Sequence, residues 1–109
     1  MILYYILFYV GLIDVENIKI KNGFMLREIV DQWVVVPLGE RVVSFNEIMT
    51  LSESGALLWK MLEQGSNEKA LVDAILKEYA IDNETALGDI REFIAGLKEK
   101  GLVHTENHA

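Results

Sequence analysis

The sequence contains no cysteine, a single proline and two histidines, and each scarcity removes a class of function. Without cysteine there is no disulfide framework, no thiolate zinc site and no cysteine nucleophile. Such a chain fits any compartment, and a cytoplasmic one is the simplest reading. Both histidines, His104 and His108, lie in the polar tail. A serine triad needs a base held between a nucleophile and an orienting acid, which tail residues do not provide. Two histidines four residues apart also supply only half of a tetrahedral metal site. The glycines stand singly at turns and helix ends, so no loop is built to cradle phosphate. The carboxylates are scattered over helix faces as solvated groups are, and nothing argues for an enzyme or a cofactor.

Basic residues are also scarce. Ten Lys and Arg face seventeen Asp and Glu, a net charge of −7. Sequence-independent affinity for nucleic acid comes from cations neutralising phosphates, so this balance opposes it. The basic residues cluster no further than Lys19/Lys21 and Lys98/Lys100. An acidic body instead suits a partner with basic or apolar segments. No apolar run is long enough to span a membrane: Met1 to Ile13, MILYYILFYVGLI, is well short of about 20 residues. It also lacks the basic leading region and small-residue cleavage site of a secretory signal. It reads first as an extra or covering strand, next as an upstream extension or mis-set start without a role, and last as a membrane-contacting segment.

What is present is one globular domain. The chain has 109 residues, half of them hydrophobic and a quarter charged, enough for a single core. Ile18 to Asn22 alternates with lysine into a turn at Gly23. Phe24 to Val30 (FMLREIV) is expected as a first strand, Asp31 and Gln32 as a tight connection, and Trp33 to Val36 as a more central, continuously apolar strand. Pro37 cannot donate a ladder hydrogen bond and should end it. Arg41 to Thr50 then alternates loosely, with Val42, Val43, Phe45, Ile48 and Met49 among polar residues, and is expected as a third strand.

Ser52 is placed to cap a helix that carries Leu57, Leu58, Met61 and Leu62 on its apolar stripe and stops at Gly65. Asn67 should cap a second helix with Leu71, Val72, Ile75, Leu76 and Tyr79 on one face. Asp82 or Asn83 should cap a third, from about Glu84 to Lys100, with Leu87, Ile90, Phe93, Ile94 and Leu97 buried and Gly101 as its stop. Gly88 and Gly96 each cost that helix about 1 kcal/mol relative to Ala, so either something packs closely on them or they are tolerated. Leu102 and Val103 pair briefly or cover the core, and residues 105–109 should fray. The expectation is an α+β domain: a small three-stranded antiparallel meander followed by a winged helix-turn-helix-like three-helix bundle.

The ordered set FMLREI, WVVVPLGE, VVSFNEIMTLSESGALLWKMLEQG, LVDAILKEYAID and ALGDIREFIAGLKEKGLV resembles the PqqD family, also called RiPP recognition elements. The likeness is carried above all by FN, SESGALLW and EYAID occurring together at the family's spacing. It covers residues 20–103, leaving residues 1–19 as an apolar extension of unknown role and 104–109 as a polar tail. The resemblance implies a non-catalytic domain that binds the leader of a ribosomally made precursor peptide. Such domains present the peptide to a modifying enzyme, often a radical SAM enzyme and sometimes a leader peptidase, in the biosynthesis of a modified peptide or a peptide-derived cofactor.

The resemblance further implies that the leader adds as a strand to the third strand and sends side chains toward the third helix. Carried onto this sequence, the contact residues are Arg41, Val42, Val43, Ser44, Phe45, Asn46, Glu47 and Ile48 on one side and Asp89, Ile90, Glu92, Phe93 and Gly96 on the other. An edge strand does offer unpaired backbone groups for such addition. Several of these residues have a plainer competing role. Phe45 and Ile48 suit the core, Asn46 suits the strand-to-helix corner, and Asp89 and Glu92 suit a solvated face. Two rival readings follow from the same elements: a DNA-binding winged helix, for which the third helix has too few cations, and a homodimer formed through an exposed strand.

Overall fold

The computed structural model describes residues 16–107 except Asn46. The expected reading of the first thirteen residues, the role of Asn46 and the position of His108 lie outside the described residues.

The chain begins with β1 (Glu16–Ile20) and continues through β2 (Phe24–Ile29) and β3 (Gln32–Pro37). A single helical turn, α1 (Arg41–Ser44), precedes the short strand β4 (Met49–Leu51). Three helices follow, α2 (Glu53–Gln64), α3 (Glu68–Glu78) and α4 (Asn83–Glu99), before β5 (Val103–Asn107). β2, β3 and β4 form a three-stranded antiparallel sheet in that order, and β1 pairs with β5 in a separate two-stranded one. The α+β architecture with a three-stranded meander and three helices is therefore as the sequence led us to expect.

The register of β2 on β3 puts Phe24, Leu26, Val35, Met49 and Leu51 on the face that packs against the helices. Trp59, Leu62, Leu71, Ile90 and Leu102 are fully buried at the centre, joined by Ile18 and Ile20 from β1. Each of the helices α2, α3 and α4 begins where the sequence supplies a capping side chain. Ser52 accepts from the Gly55 N–H, Asn67 from the Ala70 N–H and Asp82 from the Thr85 N–H, satisfying donors that the first turn leaves unpaired.

Three expectations need correction. The β2–β3 connection is a two-residue turn at Val30 and Asp31, both at positive φ (44° and 63°), the type I′ geometry that matches strand twist. Residues 105–107 do not fray. They belong to β5, whose pairing with β1 runs from Ile20↔Val103 to Glu16↔Asn107. Ile18 and Ser66 exchange backbone hydrogen bonds of 2.7 and 2.9 Å, fixing the other edge of β1 to the α2–α3 corner.

Finally, Arg41 to Thr50 is not one strand. Pro37 explains much of the difference. In the β2–β3 hairpin Ile29 and Gln32 are the hydrogen-bonded pair next to the turn, so alternate residues Trp33, Val35 and Pro37 turn their backbone groups toward β4. Trp33 and Val35 find Leu51 and Met49. Pro37 has no N–H to offer, and the ladder stops there. Gly39, at φ 55°, turns the chain into α1, where Val42 and Val43 donate back to the Gly39 and Glu40 carbonyls. Arg41 locks this turn, donating from Nε to the Asn22 carbonyl at 3.0 Å with its guanidinium 5.4 Å from the Phe24 ring centre.

Candidate functional site

β3 is central and β4 lies at an edge of its sheet. Because Met49 and Leu51 direct their backbone groups at β3, the alternation of an antiparallel ladder leaves the N–H and C=O of Thr50 pointing outward. Beyond this edge lies a groove of about 460 Å³. One wall is β4 and the start of α2, with Met49, Thr50, Leu51, Ser52, Ser54, Gly55 and Leu58. The other is the outer face of α4, with Asp89, Glu92, Phe93, Gly96, Leu97 and Lys100.

The groove has an apolar floor and charged ends. Gly55 is buried, and a Cβ there would lie in ordinary contact, 3.5 Å from the Phe93 ring, which places the start of α2 directly against α4. Gly96 is different: a Cβ would meet nothing within 4 Å. Neither it nor Gly88 is held by close packing inside the domain. Glu47, just before β4, pairs with Lys100 at 2.6 Å and ties that end of the edge to the end of α4. Asp89 and Glu92 are exposed toward the other end and have no ion-pair partner among the described residues.

The residues implied by resemblance therefore divide. Asp89, Glu92, Phe93 and Gly96 come together on the groove, whereas Ile90, about a quarter turn round α4 from the centre of that face, is 1% exposed and belongs to the core. Arg41 is committed to Asn22 and Phe24, and Val42, Val43 and Ser44 are exposed on α1 without lining the groove. Phe45 packs edge-on against Phe24 at 5.4 Å. Ile48, expected to have a core role, is 66% exposed beside the start of β4. Glu47 reaches the groove through Lys100. Met49, Thr50, Leu51, Ser54, Gly55 and Lys100 are lining residues that the sequence did not single out. Their signal was Pro37, which shortens the paired strand and moves its usable edge to Thr50. Among the described residues no cluster of His, Asp and Glu could hold a metal, and no helix is long and apolar enough to cross a membrane.

Together these features define a small winged-helix-type α+β domain whose sheet ends in an open strand edge facing its last helix. The chain belongs to the PqqD family: residues 32–103 match the family described as coenzyme PQQ synthesis protein D. Among solved structures it is similar to TbiB1 in complex with the TbiA(beta) leader peptide, with 31% identity and a TM-score of 0.64 over 84% of this chain and 98% of that one. Lasso peptide synthetase B1 complexed with the leader peptide shares the fold at 20% identity, with a TM-score of 0.65 over 80% of this chain and 96% of that one. No curated protein sequence matches the chain.

Proposed function

We propose that this protein binds the leader segment of a ribosomally made precursor peptide and presents it to a modifying enzyme, with no catalytic step of its own. The leader adds to β4 and its side chains enter the groove against α4. The observation that carries the reading is the outward backbone of Thr50 at the mouth of an apolar, helix-walled groove, the arrangement that strand addition requires. The complex of TbiB1 with its leader peptide, a relative in which this chain spans nearly the whole length, supports the same reading. A precursor made on ribosomes places the encounter in the cytoplasm. The enzyme partner is a radical SAM enzyme or a leader peptidase.

The arrangement of charge on α4 weighs against DNA. Arg91 pairs with Glu68 through two hydrogen bonds, Lys98 with Glu16 and Lys100 with Glu47. The helix therefore presents Asp89 and Glu92 while its cations are occupied, which repels a phosphate backbone. Calorimetric titration with synthetic leaders from short reading frames next to the gene tests the proposal. Saturable binding to at least one leader and none to duplex DNA is expected. A folded protein that binds DNA in a salt-dependent way and no leader would overturn it.

A further inference from the structure

The groove is electrically polar along its length, and this polarity specifies a peptide. β4 and α4 run in opposite senses: Glu47 at the start of the edge meets Lys100 at the end of α4, while Gly55 beyond β4 lies against Phe93. From Lys100 back to Glu92 the helix rises about 12 Å, with Gly96 midway. An extended peptide covers about 13 Å in four residues, and residues two and four apart share one face. A strand laid on β4 with one residue opposite Lys100 therefore places the residue two positions along over Gly96, and the next on that face beside Glu92 and Asp89.

These three stations differ in chemistry. Lys100 offers a cation, held at 2.6 Å by a Glu47 side chain that is itself about half exposed. Gly96 offers open space next to Phe93. Asp89 and Glu92 stand three apart on one helix face, where like charges destabilise each other until a cation is brought between them.

Resting on the strand-addition reading above, we propose that the groove selects peptides with the pattern cation–x–apolar–x–carboxylate, in chain order for antiparallel addition. The cation sits on Asp89 and Glu92, the apolar side chain fills the space at Gly96, and the carboxylate takes Lys100 from Glu47. Glu47 acts as an internal competitor for the Lys100 ammonium, which only a peptide carboxylate needs to displace.

The test uses fluorescein-labelled eleven-residue peptides of a threonine and valine host carrying Lys-x-Leu-x-Glu, Glu-x-Leu-x-Glu or Lys-x-Leu-x-Lys, measured by anisotropy. The matched peptide should bind best, with each mismatch weakening binding about fivefold at low salt. The protein carrying Asp89→Lys and Glu92→Lys should recover binding of the first mismatched peptide, and Lys100→Glu that of the second, a crossing pattern that a merely structural role does not produce. Glu47→Gln should tighten the matched peptide about threefold and leave a Gln-x-Leu-x-Gln control unchanged. Equal binding of all charge variants overturns the charge pattern and leaves strand addition standing. No binding of any of them to the folded protein overturns the pattern together with the strand-addition reading.

Discussion

Replacing Thr50 by proline isolates the backbone contribution of the β4 edge. The Thr50 N–H points away from β3, as the pairing of Met49 with Val35 and Leu51 with Trp33 requires, so proline there removes no bond of the folded domain. Edge strands accept proline in this orientation, and the expected stability cost is about 1 kcal/mol. For an added strand the loss is larger. One hydrogen bond worth about 1 kcal/mol disappears, and the peptide carbonyl that would have accepted it is left facing the ring unsatisfied, a further cost of about 1–2 kcal/mol. The sum corresponds to a Kd raised about 30- to 150-fold. Thr50→Val keeps the N–H and should change Kd less than about twofold. Met49→Pro removes an inward donor and should instead lower stability by about 1–3 kcal/mol. Calorimetric Kd values set beside urea midpoints separate the two effects. A folded Thr50→Pro protein with undiminished affinity, or a Thr50→Val protein as impaired as the proline variant, would refute backbone addition at this edge.

Other consequences can be measured independently. Gly96→Ala and Gly88→Ala should each stabilise α4 by about 1 kcal/mol because both sites have room for a Cβ, yet only Gly96→Ala, which narrows the groove, should weaken leader binding. Equal affinities would remove Gly96 from the site. Trp59 is fully buried with an indole N–H that has no hydrogen-bond partner among the described residues. Trp59→Phe sheds that donor and should cost less than about 1.5 kcal/mol, against about 3–5 for Trp59→Ala in urea unfolding; equal losses would show that the N–H is satisfied in solution. The Thr85 backbone N–H and hydroxyl hold the Asp82 carboxyl below its ordinary value of 3.8. A lowered carboxyl stabilises the fold above that value, and the contribution is lost as pH falls through the lowered one. Thermal melts of Asp82→Asn should therefore show a shallower loss of Tm between about pH 4 and 2 than wild type, and superimposable profiles would assign acid sensitivity to other carboxylates.

The helical half of the fold was legible because its signals are local. Ser52, Asn67 and Asp82 each cap the helix that follows them, and the periodic stripe of Leu71, Val72 and Ile75 is buried as spaced. The sheet was legible less well. Val30 takes a left-handed conformation that a β-branched residue rarely adopts, so the turn was displaced by one residue. The β1–β5 pair joins the two ends of the described chain, and no local pattern encodes a partner so distant. Pro37 was read as the end of β3, but its effect falls equally on β4, which must stop where the donor is missing. That single step separates an expected edge at 41–48 from the observed one at Thr50. On the helix side, the family resemblance pointed to Asp89, Glu92, Phe93 and Gly96, which line the groove, while Lys100 could be found only through its contact with Glu47, 53 residues away.

The central claim is strand addition at β4, and amide hydrogen exchange of Thr50 with and without saturating leader peptide tests it most directly. The Thr50 N–H should exchange quickly in the free protein and become protected in the complex, while the outward N–H groups of Leu26 and Glu28 on the β2 edge do not change. Protection of Leu26 and Glu28 with Thr50 still exchanging quickly would contradict it.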